Sequence, residues 1–135
     1  MFLPALDAPV HPIETAMSLY VKDTYHATVI GISGKFLGSL EGDRFRSMLD
    51  DCKSQGKTRL VLDLAETDLM DSTAIGLLIA GLTSMRRVGG DIRLANMKKR
   101  IRNLFLMTRL LGPVFASYDS LELAAASYQS PSVEA

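Results

Sequence analysis

An α/β fold, a mixed β-sheet with helices packed on it, is predicted by three features of the sequence. Runs rich in β-branched and aromatic residues alternate with segments whose apolar residues recur at helical spacing. The stretch from Leu60 to Ala95 reads as strand, helix, strand, closed by Gly89-Gly90. The chain has 135 residues, 47% hydrophobic and 22% charged, which suits one soluble domain with a single core. About four to five strands and about four helices are expected.

Leu19-Tyr20-Val21 and Ala27 to Ile32, with Lys22-Asp23-Thr24 between them, read as two antiparallel strands joined by a hairpin. Gly34 to Gly38 reads as an irregular crossing, and Ser39 as the N-cap of a helix. Leu40, Phe45, Met48, Leu49 and Cys52 then follow at helix-face spacing, up to Lys53 and a stop at Gly56. Thr58 to Leu64 turns almost wholly apolar, as a strand buried on both faces does.

A loop carrying Glu66, Thr67 and Asp68 leads to Leu69-Met70-Asp71-Ser72-Thr73. A helix is expected from about Thr73 to Arg87, and Ile92 to Ala95 is the next strand. The crossover between these two strands makes them parallel. A basic amphipathic helix over roughly Lys98 to Thr108, an extended piece at Val114-Phe115-Ala116 and a helix capped by Asp119 or Ser120 complete the domain. The boundaries predicted are a flexible extension over 1–16, the domain over 17–128 and a flexible tail over 129–135.

Several function classes are disfavoured at this level. Lysine plus arginine equal aspartate plus glutamate at 15 each, so global charge gives no sign of nucleic-acid or membrane binding. One cysteine, Cys52, leaves no intramolecular disulfide and fits a reducing compartment. The apolar run Ala74 to Leu82 is too short to span a bilayer, and three prolines interrupt the first twelve residues where a secretion signal would lie. A cytoplasmic location is expected. A serine nucleophile needs a base, and His11 and His26 are the two histidines, neither with a partner suggested by the sequence. No enzyme activity, metal or cofactor is expected.

Asp71-Ser72-Thr73 before an apolar run is, on local pattern alone, a helix cap. Its context gives it more meaning. Leu60-Val-Leu-Asp-Leu, Met70-Asp-Ser-Thr-Ala-Ile-Gly76 and Gly89-Gly-Asp-Ile-Arg-Leu94 resemble, in order and spacing, the signature of the STAS domain family of anti-sigma factor antagonists. Arg102 to Thr108 and Tyr118 to Glu122 fit the same pattern. The resemblance covers about Ser18 to Ser127.

That resemblance implies a bacterial partner switch in transcription regulation. The unmodified antagonist binds an anti-sigma factor with serine kinase activity, the kinase phosphorylates the antagonist, and a serine phosphatase resets it. The phosphorylated residue carried over by the motif is Ser72, with Thr73 the alternative. The implied partner-binding set is Asp71, Ser72, Thr73, Ala74, Gly76 and Leu77. Direct nucleic-acid binding and membrane association are not implied, and a weak homodimer is compatible. The alternative reading is a non-switching docking module, a scaffold or a soluble subunit of a transport assembly, in which Ser72 is only a cap.

The hydroxyl at a helix start is physically suited to modification. A phosphate there adds about −1.5 to −2 charges and three acceptor oxygens, and the positive helix N-terminus holds an anion without unfolding the domain. Asp71, Asp68 and Glu66 are expected to become like-charge neighbours. The apolar remainder of the helix packs within the domain or forms a sticky patch, and Gly76 and Gly81 suggest close approach of another backbone. Lys98, Lys99, Arg100 and Arg102 read as a solvated helix face or as a contact for an acidic partner. Two stretches depart from the family pattern: Gly34-Lys-Phe-Leu37 replaces the usual Gly-Glu-Leu-Asp, and Arg109 stands where glycine is common. Ala74 in place of the more usual glycine is a milder change.

Overall fold

The computed structural model describes residues 17–129, so the expectations for 1–16 and 130–135 fall outside the described residues. The strands are β1 (Met17–Asp23), β2 (Thr28–Phe36), β3 (Arg59–Asp63), β4 (Thr67–Met70), β5 (Asp91–Ala95) and β6 (Ser117–Tyr118). The helices are α1 (Gly38–Ser54), α2 (Ser72–Arg87), α3 (Lys99–Met107) and α4 (Leu121–Ala126), followed by a 3₁₀ turn at Ser127–Gln129. They build a 6-stranded sheet in the order β1-β2-β3-β5-β6, with β4 also beside β2.

Among the described residues, only the β1–β2 hairpin is antiparallel. The β2–β3, β3–β5 and β5–β6 pairs are parallel, and the β3–β5 pair is the one expected from the crossover between Leu60 and Ala95. The parallel strands alternate between two apolar layers. Ile30, Leu60, Leu62, Ile92 and Leu94 face the larger core with α1, α2 and α3, through Phe45, Leu49, Leu78, Leu82, Ile101 and Phe105. Val29, Val61 and Ala95 face the opposite side, where Ala124 of α4 and Tyr128 cover them. The central strand is thus buried on both faces, as its nearly unbroken apolar sequence anticipates.

The element the sequence reading lacks is β4. It and β3 both run parallel to β2, β3 opposite Thr28–Gly31 and β4 opposite Gly34–Phe36, so the pair acts as one interrupted strand. The interruption at Leu64–Glu66 satisfies its polar groups locally. The Gly34 N–H donates to the Glu66 carbonyl at 2.9 Å, and the buried Thr67 hydroxyl donates to the Ile32 carbonyl at 2.6 Å. The predicted loop is therefore confined to a few residues, and Thr67 and Asp68 belong to a strand.

Three other boundaries move. The irregular crossing at Gly34 to Gly38 is mostly strand: β2 passes a register shift between Gly34 and Lys35 and continues to Phe36. Ser39 lies inside α1 rather than capping it, because the helix begins at Gly38 with Leu37 in the cap position. The final strand is Ser117–Tyr118, just beyond the predicted Val114–Ala116. Of the two candidate caps for α4, Ser120 is used, accepting from the Leu123 N–H at 3.1 Å.

Candidate functional site at the start of helix α2

The chain leaves the sheet at Met70 and enters α2 at Ser72, so Asp71 is the hinge residue between strand and helix. Its backbone is extended, with φ −96° and ψ 176°, the usual N-cap geometry. Its Oδ1 accepts from the Ala74 N–H at 2.8 Å, which caps α2. The same oxygen accepts from the Gly38 N–H at 2.9 Å, the first residue of α1. Leu37 has no polar side chain to cap α1, so Asp71 supplies an acceptor to both helices. The N–H groups of Gly38 and then Ala74 hold the Asp71 carboxyl below its ordinary range, against the opposing effect of desolvation.

This convergence demands a glycine. A Cβ on Gly38 would sit 2.6 Å from the Ala74 nitrogen and 2.6 Å from Thr73 Cγ2. The two helices stay close further along. A Cβ on Gly42 would meet Leu77 Cδ1 at 2.8 Å, and one on Gly81 would meet Leu49 Cδ1 at 2.5 Å. Gly81 therefore answers to close packing, against a side chain rather than the backbone expected. Gly76 does not, since nothing lies within 4 Å of a Cβ built there.

The predicted site residues divide by exposure. Ser72, Thr73 and Gly76 are exposed, Asp71 and Leu77 are half-buried, and Ala74 is fully buried in the core. Ile75, Leu78 and Leu82 are also buried, and Leu77 and Ile79 pack against the same core. The apolar circumference of α2 is thus mostly used internally, leaving a polar and small face with Ser72 at its N-terminal end.

The charges around this face differ from the expected acidic rim. Asp71 is turned onto backbone N–H groups, and Asp68 accepts from Lys98 Nζ at 2.5 Å. Lys98 holds the Asp68 carboxyl below its ordinary range, with smaller contributions from Arg100 and Lys35. Lys98, Lys99, Arg100 and Arg102 are all exposed on or beside α3. Gly38 as the packing partner of the Ser72 turn, and Lys35 as a neighbour of Asp68, were missed from sequence. The glycine-rich crossing before α1 was the signal available for Gly38.

Among the described residues, no histidine lies near Ser72. His26 lies at the β1–β2 turn, edge-on to Tyr25 with ring centroids 4.7 Å apart. That turn is at the far end of β2 from Phe36, roughly 30 Å away at the rise of a strand. No group of three or more His, Cys, Asp or Glu among the described residues is arranged to hold a metal ion. No helix among them is long and apolar enough to cross a membrane.

The STAS domain model matches residues 19–124, and the chain belongs to the STAS domain family. A relative from Bordetella bronchiseptica, BtrV, described as a candidate anti-sigma factor antagonist, is 26% identical over 110 residues, covering 76% of this chain and 94% of its own length. An anti-sigma factor antagonist from Mycobacterium paratuberculosis has the same fold, with TM-score 0.74, 18% identity and coverage of 84% of this chain and 95% of its own. The Bacillus cell fate determinant SpoIIAA in its phosphorylated form gives TM-score 0.63 at 20% identity, covering 82% of this chain and 99% of its own.

Proposed function

We propose that this chain is an anti-sigma factor antagonist whose grip on an anti-sigma factor is released by phosphorylation of Ser72. The observation that carries the reading is the division of labour at the start of α2. Asp71 performs the capping, and the Ser72 side chain is left exposed at the first helical position. A cap serine could not be modified without opening the helix end. Ser72 is under no such constraint.

A phosphate on Ser72 would meet the positive end of α2 and need no rearrangement of the core beneath. It would add about −1.5 to −2 charges to the face formed by Ser72, Thr73 and Gly76. A partner packed there would have to desolvate that anion, at a cost of several kcal/mol unless it were paired. Repulsion from Asp71 is a lesser factor than the sequence suggested, because its carboxylate is already engaged by two N–H donors. The role is binding in the cytoplasm rather than catalysis, with an anti-sigma factor serine kinase writing the mark and a serine phosphatase removing it.

The test is incubation with the serine-kinase anti-sigma factors of the source organism and ATP, followed by mass mapping of the phosphate. The parent and Thr73→Ala are expected to be labelled at Ser72, and Ser72→Ala to stay unlabelled while still binding. Labelling of Ser72→Ala as full as the parent's would refute the site. No labelling of any form would favour the non-switching docking module.

A further inference from the structure

We infer that Lys35, Lys98 and Arg100 form one basic docking patch beside Ser72 that receives an acidic segment of the protein that addresses this serine. The inference rests on Ser72 being partner-facing, and adds the chemistry of the partner.

The three cations come from separate parts of the chain. Lys35 sits near the end of β2, in register with Leu69 of β4. Lys98 is the cap residue before α3 and Arg100 lies in its first turn; α3 packs on β4 and anchors itself through buried Ile101 and Phe105. Lys98 donates to Asp68 at 2.5 Å, and the charges of Arg100 and Lys35 reach the same carboxylate more weakly. Lys35, Lys98, Lys99 and Arg100 are all exposed, while the acids on this edge are Asp68 and exposed Glu66. Since the whole chain balances its charges at 15 to 15, this is a local excess of positive charge rather than a general one.

The solvent-facing Lys98–Asp68 pair contributes little to stability. Leu69, the register partner of Lys35, is 38% exposed, so the edge carries apolar surface beside its charges. Its position also fits. Three residues separate Asp68 from Ser72, four steps of extended chain or at most about 13 Å. One standard interface covers about 800 Å² on each partner, enough to take in both. An acidic segment seated on the patch would then compete with a phosphate on Ser72 for the same positive potential. Modification would thereby weaken docking without moving the backbone.

The experiment has two arms, with thermal melts confirming that Lys35→Glu/Arg100→Glu folds as the parent does. In the first, isotopically labelled protein is titrated with a synthetic glutamate-rich peptide and, separately, with a DNA duplex. The peptide should shift the amides of Lys35, Asp68, Lys98 and Arg100, with affinity falling about tenfold between roughly 50 and 300 mM salt. Those shifts should vanish in the double variant. Shifts confined to other basic residues, or a duplex binding the same site more tightly than the peptide, would overturn the proposal.

In the second arm, association with the anti-sigma kinase should slow about tenfold in the double variant. Equal association of parent and variant would remove the patch from the partner's footprint. A kinase that neither binds nor labels the parent would instead defeat the reading of Ser72, whatever the peptide does.

Discussion

At the turn from β4 into α2, the Asp71 oxygen that accepts from Ala74 also accepts from Gly38. Removing it should therefore cost more than an ordinary N-cap. Asp71→Ala is expected to lower stability by about 2 kcal/mol, the upper end of the range for single caps, measured by urea unfolding at neutral pH. Because folding holds this carboxyl below its ordinary value of 3.8, its stabilisation is complete above that value and fades as pH falls below it. Asp71→Asn keeps an acceptor oxygen. It should lose less stability than Asp71→Ala at neutral pH and show a weaker decline on acidification.

A second residue, Arg109, takes φ +60°, the left-handed conformation that glycine adopts without strain. Arg109→Gly should raise stability by up to about 1 kcal/mol, read from the same unfolding curves. The sequence already marked Asp71-Ser72-Thr73 as a helix start. Local pattern could not say which residue caps, because the deciding contact to Gly38 is 33 residues away in the chain.

At the scale of elements, the α1–α2 pair is held close by glycines whose missing side chains make room. Gly38→Ala would force a Cβ to within 2.6 Å of backbone that cannot easily yield. A loss of about 1–3 kcal/mol is expected, with the largest amide shifts at Thr73 and Ala74. Gly76 makes the opposite case. With open space around it, Gly76→Ala should stabilise α2 by about 0.5–1 kcal/mol. If a partner packs on this face, the same methyl group should weaken its binding, so a raised melting temperature with lowered affinity is the expected signature. Unchanged affinity would take Gly76 out of the interface.

The long elements were legible because apolar periodicity over many residues leaves little ambiguity. β4 was not. Thr67–Met70 is short, its polar Thr67 is buried by a hydrogen bond to Ile32, and its pairing depends on the register shift in β2. Ser39 misled for a related reason. A serine before an apolar run is a reasonable cap, but here the acceptor comes from another helix.

Across the whole molecule, one sheet separates two apolar layers, and the larger layer anchors the helix that presents Ser72. Ala74, Ile75 and Leu78 fix α2 from below, leaving the Ser72 side chain outside the packed interior. Phosphorylation is therefore expected to leave the fold intact. Circular dichroism and amide spectra of the modified and unmodified protein should agree except around Ser72 and the Lys35–Lys98–Arg100 patch. That patch was only half visible in the sequence. The run from Lys98 to Arg102 stood out, but the fold was needed to bring Lys35 and Asp68 to it.

The most direct test compares the affinity of the anti-sigma kinase for the unmodified protein and for protein stoichiometrically phosphorylated at Ser72. An unpaired phosphate buried at the contact should cost at least about 3 kcal/mol, more than a hundredfold in affinity. Equal affinity of the two forms would contradict the account.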